Sequence, residues 1–354
     1  MQTIDIVKES PLPSSFRAKS IISQFDITQT KIIEHFKAEV DLSGDWKIGC
    51  IVGRSGTGKS TIARNLFKSD YVESKEYKGQ CVLDDMPEGV TTSQITQAFT
   101  SVGFSSAPSW LKPYAVLSQG ERMRVDIARE ILSERTRIVF DEFTSVVDRE
   151  VAKVSSMAIA KAIRKSDKQF VAVTCHYDIL EWLQPDWVLY TDDMRFEVTA
   201  GKFFRPTIEL EVRQCSRQLW SLFRRYHYLN YDLHVSSHCY AALHNGEPIA
   251  FLAIKHFPHP TKKNIKTIHR LVVLPDYQGI GIGTKLLNVV ASFYKKQGFA
   301  VHIVTSNPAL NRTLSRSGWI LIRLGRVHDS STQELSFKKI CSKTRNTATW
   351  KYKG

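Results

Sequence analysis

No apolar run in this 354-residue chain reaches the roughly 18 uncharged residues that a membrane-spanning helix needs. The first residues, MQTIDIVKESPLPSS, lack the basic-then-apolar layout of a secretory signal. The expectation is a soluble, cytoplasmic protein without a membrane partner. Cysteine is sparse and unpatterned: Cys50, Cys81, Cys175, Cys215, Cys239 and Cys341 include no C-x-x-C pair. That speaks against a zinc site or a disulfide framework and for buried free thiols. There is no internal repeat and no low-complexity tail.

Acidic residues are scarce in one half only. Residues 202–354 hold 24 Lys and Arg against 7 Asp and Glu, a net charge of +17, whereas residues 1–201 hold 25 against 28. The whole chain's +14 is therefore carried by its second half, which also holds nine of the eleven histidines. A positive excess confined to one region points to a polyanionic partner such as nucleic acid. What is present in quantity is apolar residues, 42% of the chain, enough for two cores.

Gly53-Arg54-Ser55-Gly56-Thr57-Gly58-Lys59-Ser60 is a complete Walker A phosphate loop. Its glycines let successive backbone N–H groups converge on phosphate, Lys59 adds a mobile positive charge, and Ser60 offers a hydroxyl to Mg²⁺. The pattern predicts a strand over 46–52 and a helix over 60–68, with Thr61 in its first turn, which is the strand–loop–helix context the loop requires. Further helices are predicted over 121–133 and 150–166, and strands over 137–140 and 170–174. This alternation implies a mainly parallel sheet.

Three more features follow in order. Leu117-Ser118-Gln119-Gly120-Glu121-Arg122 resembles the signature of ABC ATPases, and Arg137-Ile138-Val139-Phe140-Asp141-Glu142 resembles a Walker B strand. Ser145-Val146-Val147-Asp148 stands where the D-loop belongs, and His176 follows a buried strand as the switch histidine does. The resemblance covers about residues 15–200. It implies an ATP site formed by Gly53, Ser55, Gly56, Gly58, Lys59, Ser60, Thr61 and Asp141, with Mg²⁺ at Ser60 and Asp141 and catalysis by Glu142 and His176. It also implies a head-to-tail homodimer in which Ser118, Gln119, Gly120 and Glu121 complete the site of a second copy. The signature departs from LSGGQ, the interval from Lys59 to Ser118 is short, and Gln94 and Gln97 both compete for the Q-loop position.

The carboxy-terminal half is marked off near 201–206 by a Gly/Pro-containing segment that coincides with the change of charge. Its pattern predicts a helix over 215–226, strands over 238–243, 248–254, 267–274 and 300–305, and a helix over 284–296. Gln278-Gly279-Ile280-Gly281-Ile282-Gly283-Thr284, after Leu271-Val272-Val273-Leu274-Pro275, resembles motif A of the GNAT acetyltransferases. Asn307 to Arg312 followed by Gly318-Trp319 resembles that family's Asn-containing helix and Gly-aromatic turn. The competing dinucleotide pattern G-x-G-x-x-G is disfavoured, because Pro275 and antiparallel strands precede the loop. This second resemblance, over about 207–325, implies acetyl-CoA held by Val272, Val273, Gln278, Gly279, Ile280, Gly281, Ile282, Gly283, Thr284 and Asn307, with an oxyanion near Val272 and Val273. The family's frequent general-acid tyrosine falls on Leu314.

For the base, strand alternation puts Thr267, His269, Leu271 and Val273 on one face, so His269 is one candidate. The run from Arg224 to Tyr231, with His227 and Tyr228, is another; it is loosely similar to the His/Tyr-rich segment of phage Mom-like DNA modifiers. Part of the positive charge would serve coenzyme A phosphates instead of nucleic acid.

The expected fold class is therefore α/β: a P-loop ABC ATPase domain over 1–201 with a mainly parallel sheet, and a GNAT α+β domain over 207–354 with a mixed, mainly antiparallel sheet. The expected function is ATP-dependent N-acyl transfer from acyl-CoA to an amine of nucleic acid. A protein or small-amine acceptor, and an ATP-gated nucleic-acid clamp with a degenerate transferase, are the alternatives.

Overall fold

The structure is a computed structural model, and it describes residues 2–29, 31–72, 76–204, 206–227, 232–326 and 346–354. In chain order, β1 (Gln2–Pro11), α1 (Phe16–Gln24) and β2 (Lys31–Val40) precede β3 (Ile48–Val52) and α2 (Lys59–Phe67). Three helices follow, α3 (Thr92–Ser101), α4 (Ala107–Trp110) and α5 (Gln119–Leu132). Next come β4 (Arg137–Phe140), α6 (Arg149–Ile163), β5 (Gln169–Thr174), α7 (Ile179–Leu183), β6 (Trp187–Tyr190) and β7 (Arg195–Val198). The remainder is β8 (Glu211–Cys215), α8 (Trp220–Phe223), β9 (His238–His244), β10 (Glu247–His256), β11 (Ile265–Val273), α9 (Ile282–Lys296), β12 (Ala300–Thr305), α10 (Pro308–Leu314), β13 (Trp319–Arg326) and β14 (Asn346–Tyr352). No helix among the described residues is long and apolar enough to cross a membrane.

The chain forms two compact units. One comprises Met1–Lys75, Glu134–Asp148 and Ala160–Arg205; the other comprises Glu76–Ser133, Arg149–Ile159 and Pro206–Gly354. This division differs from contiguous segments 1–201 and 207–354, because α3 to α5 and the first part of α6 group with the carboxy-terminal residues.

In the first unit β4, β5, β3 and β6 run parallel, in that order, and β7 closes the edge antiparallel to β6. All five residues of β3 are buried, as expected of a central parallel strand covered on both faces. β1 and β2 pair antiparallel from Gln2 opposite Val40 to Pro11 opposite Lys31. Only Ile4, Phe36, Ala38 and Val40 of this ribbon are buried, so the period-2 signal is nearly absent from its outer half and no strand was legible there.

In the second unit the strand order is β13-β14-β12-β11-β10-β9-β8, antiparallel except for the β11–β12 pair. β9 and β10 join through Asn245 and Gly246, both with left-handed φ (51° and 84°), the signature of a tight hairpin turn. α9 buries Ile282, Leu286, Leu287, Val290, Ala291 and Tyr294 against this sheet, and Lys295 and Lys296 complement its carboxy-terminal dipole. The helix predicted over 215–226 is not continuous. Cys215 ends β8 opposite Cys239, and α8 is a single four-residue turn flanked by 3₁₀ turns at Arg217–Leu219 and Arg224–Tyr226. Ser216 caps the first of these turns through the Gln218 N–H, and Trp220 and Phe223 anchor the segment in a core with Phe251 and Val272.

The predicted shared face of Thr267, His269, Leu271 and Val273 is also corrected. Ala253 lies opposite Arg270 but Ile254 lies opposite Ile268, so His269 is the extra residue of a β-bulge. Alternation slips by one there, and Ile268 joins Leu271 and Val273 in the core beneath α9.

Candidate functional site

In the first unit, the phosphate-loop sequence links β3 to α2 and borders a cavity of about 340 Å³. Ser55, Gly56, Gly58, Lys59, Ser60 and Thr61 line it together with Asp141 and Glu142 from the end of β4. The loop is internally tied: Lys59 Nζ and Thr57 Oγ1 donate to the Arg54 carbonyl at 2.7 and 2.8 Å, and Arg54 N–H donates to Asp192 Oδ1 at 3.1 Å. Asp141 accepts from the Glu142 N–H at 2.9 Å and from the Tyr71 hydroxyl. Burial, then the Asp141 hydrogen bond, push the Tyr71 phenol up to about 12, so it remains a donor to that carboxylate at neutral pH. Glu142, which lines the cavity, has φ 51°, a left-handed conformation that costs a non-glycine residue energy. His176 sits just past β5, its N–H on Thr174 Oγ1 at 3.2 Å; from that strand end, Thr174 and Cys175 line the cavity.

Besides Val173, Thr174 and Cys175 at the end of β5, sequence reasoning missed four residues here. Lys8, Glu34 and Phe36 reach the cavity from the β1–β2 ribbon, and Tyr71 holds Asp141. Phe36 is buried against Gly58 so closely that a Cβ there would lie 2.4 Å from its ring. The only signal was the Phe36/Ala38/Val40 alternation, too short to read.

In the second unit, Ser118 caps α5 in a reciprocal box: its Oγ accepts from the Glu121 N–H and its N–H donates to Glu121 Oε2 at 3.0 Å. Gln119 and Gly120 form the first turn of α5. Gln94, one Q-loop candidate, is taken up in the same kind of box with Thr91 at the start of α3. Gln97 Oε1 accepts from Arg312 at 3.4 Å.

The glycine loop lies where two central strands of the sheet part, leaving an opened edge on β11. β11 and β12 pair only from Ile265 to Ile268 and from Ala300 to Ile303, although both strands continue. Leu274 N–H donates to Ile249 of β10 at 2.9 Å, and peptide groups alternate sides along a strand, so Val272 faces β10 while Val273 faces the opened edge. The Val273 carbonyl accepts from Gln278 Nε2 at 2.8 Å. Gly281 (φ 99°) precedes α9 without a side-chain cap, which leaves the first N–H groups of the helix, at Ile282, Gly283 and Thr284, without intrahelical acceptors. Ile282 is buried in the core and Ile280 packs against it. Asn307 Oδ1 caps α10, accepting from Ala309 and Leu310 at 2.9 and 3.1 Å.

Residues 205–319 match the sequence model of the Acetyltransferase (GNAT) family. The carboxy-terminal region carries a GNAT domain. Over 56 residues, 15% of this chain and 25% of the relative, the chain is 38% identical to a Methanocaldococcus jannaschii protein described as an uncharacterized N-acetyltransferase. Among solved structures, an IAA acetyltransferase from Bacillus cereus is 16% identical, with a TM-score of 0.29 over 41% of this chain and 100% of that one. A bacterial Atm1-family ABC exporter with ATP bound is 18% identical, with a TM-score of 0.34 over 46% of this chain and 34% of that one. The chain thus spans a quarter of the curated relative and a third of the exporter.

Around the bulge of the GNAT domain, His269 Nδ1 is buried and has no hydrogen-bond partner among the described residues. Burial and then the charges of Arg270, Lys255, His234 and His227 hold the His269 imidazolium down to about 4. His269 is therefore neutral at pH 7. The His227 ring meets Trp220 edge-on at 5.9 Å, while Tyr226 is partly buried against the Trp220/Phe223 core. Tyr228 and residues 229–231 lie outside the described residues. Leu314 is fully buried beneath α9 and can donate no proton.

Proposed function

We propose that this chain binds and hydrolyses ATP and transfers an acetyl group from acetyl-CoA to an amine, the favoured acceptor being a base of nucleic acid. The observation that carries this reading is the presence in one chain of a GNAT domain and of a separate cavity where Lys59, Ser60, Asp141 and Glu142 converge. In that cavity Lys59 would neutralise the β and γ phosphates of ATP. The Ser60 hydroxyl and Asp141 carboxylate suit a hard, oxygen-seeking Mg²⁺ ion, which would offset phosphate charge. Glu142 would take a proton from the attacking water. The Ser118–Glu121 end of α5 would complete the ATP site of a second copy, as in ABC ATPases.

In the transfer step the acceptor nitrogen attacks the thioester carbon. The N–C bond forms, the C–S bond breaks, His269 receives the amine proton, and the thiolate leaves with coenzyme A and takes a proton from water. The Val273 N–H, at the opened edge, would stabilise the oxyanion. Nucleic acid is favoured as acceptor by the net +17 over residues 202–354. Taking a base out of a duplex costs a few kcal/mol, which gives ATP-driven closure of the head-to-tail dimer a task.

Transfer of radiolabel from acetyl-CoA to DNA or RNA, with and without ATP and followed by nucleoside mass spectrometry, tests this reading. A new acylated nucleoside that disappears in Lys59→Ala supports it. Label in protein or small amines, or label in nucleic acid at full rate in Lys59→Ala, overturns the acceptor or the coupling respectively. The buried Leu314 favours one rival, an ATP-gated clamp without transferase activity. That rival predicts ATP-dependent nucleic-acid binding with no acetyl-CoA binding.

A further inference from the structure

The two glycines at the start of the GNAT loop have different surroundings. Gly281 has no atom within 4 Å of where a Cβ would stand. Gly279 (φ 87°) is packed: a Cβ there would lie 2.8 Å from Gly103 Cα and 2.8 Å from Ala158 Cβ. Gly103 (φ 87°) answers it, with a Cβ position 2.8 Å from the Gln278 carbonyl oxygen. The first half of the loop thus serves as a docking surface for the α3–α4 connection and α6, and the loop is open at Gly281.

Polar contacts lock the same junction. Ser105 N–H donates to Gln278 Oε1 at 2.7 Å, and the other end of that amide holds the Val273 carbonyl. Arg124, fully buried on α5, donates through Nη1 to the Pro275 carbonyl at 3.2 Å and lies 3.9 Å from Asp276. Its Nε and Nη2 donate to Ser155 Oγ at 3.1 and 2.8 Å. Arg124 is less than two helical turns from the Ser118 cap. A helix of this length moves as a body, so any displacement of the Ser118 end reaches Pro275 and the loop behind it.

We propose that Arg124 is a positioning residue that ties acyl-CoA binding to the state of the Ser118–Glu121 end of α5, so that ATP and acetyl-CoA bind cooperatively. The proposal rests on the reading of that end as the part that meets ATP. Linkage makes the effect reciprocal: whatever factor ATP applies to acetyl-CoA affinity, acetyl-CoA applies to ATP affinity. A packing residue alone would change acetyl-CoA affinity equally with and without ATP.

Calorimetric titration of acetyl-CoA into the full chain, with and without Mg²⁺–ATP, tests it in a Glu142→Gln background that prevents turnover. The expected Kd ratio between the two conditions is about 5-fold or more, the lower range of measured allosteric couplings. It should collapse to within about 2-fold in Arg124→Met and in Ser155→Ala, the second of which removes the guanidinium's anchor while keeping its charge. Thermal melts identify any variant that fails to fold; Ser155→Ala decides if Arg124→Met does. An unchanged ratio in a folded variant overturns the role of Arg124. If both ligands bind the parent with a ratio of one, the coupling is overturned and the two sites stand; if either ligand fails to bind, the proposed function falls with it.

Discussion

Placing one methyl group on each of the two loop glycines separates docking from ligand binding. Gly279→Ala forces an L side chain into φ 87°, which costs roughly 1–2 kcal/mol. Its Cβ also arrives 2.8 Å from both Gly103 Cα and Ala158 Cβ, and one of these neighbours is backbone that cannot swing away. Overpacking of this kind adds about 1–3 kcal/mol, for a total of about 2–5 kcal/mol. Gly281→Ala meets the backbone cost at φ 99° but no steric neighbour, so about 1–2 kcal/mol is expected. At roughly 2–4 °C per kcal/mol for a unit of this size, differential scanning fluorimetry should show Gly279→Ala melting several degrees below Gly281→Ala. Acetyl-CoA titration should give the opposite order, with Gly281→Ala the weaker binder, because its methyl projects where the loop is open. Equal melting temperatures, or a larger loss of affinity in Gly279→Ala than its stability loss explains, would refute the division of the loop.

Glu142→Gln should slow phosphate release from ATP by about 10²- to 10⁴-fold with ATP binding retained, the usual loss for a proton acceptor; full turnover would exclude Glu142 from the chemistry. Because Glu142 sits at φ 51°, Glu142→Gly should also lack hydrolysis yet melt higher than the parent, and a lower melting temperature would contradict the strain. Phe36→Ala removes a buried ring packed on Gly58 and should destabilise the first unit by about 3–5 kcal/mol, read by urea denaturation, with ATP affinity falling in parallel. His269 binds a proton less readily folded than unfolded. Its contribution to stability is therefore complete above pH 6.5, declines as pH falls, and is gone below about pH 4. Acetyl transfer should likewise persist down to about pH 5 and fall as His269 protonates near pH 4, and that acid limb should be missing in His269→Gln.

The parts of the molecule readable in one dimension are those whose chemistry is local. A phosphate loop needs its glycines, lysine and serine within eight consecutive residues, so its strand, turn and helix announce themselves, and β4 and β12 fall on the predicted residues. The GNAT loop is legible for the same reason, with Gly281 required by the left-handed turn into α9. The helix of α5 could be read as well, but not that a charged residue, Arg124, lies in its buried column with Ala128. What that arginine holds could not be read, since Pro275 lies 151 positions away.

Only the tertiary structure decided the rest. It placed the bulge that turns His269 out of its expected alternation, because register depends on the partner strand and not on the residue pattern. It drew Cys215 into β8 opposite Cys239 and left residues 217–226 as a run of short turns. Residues 76–133 it grouped with the carboxy-terminal residues and not with the Walker A sequence that precedes them, through contacts that no linear spacing records. Spacing along a chain fixes which groups one turn or one helix face can present. Which groups meet across a sheet edge or between distant segments is settled by packing, where a methyl-sized gap or a single buried hydrogen bond selects the partner.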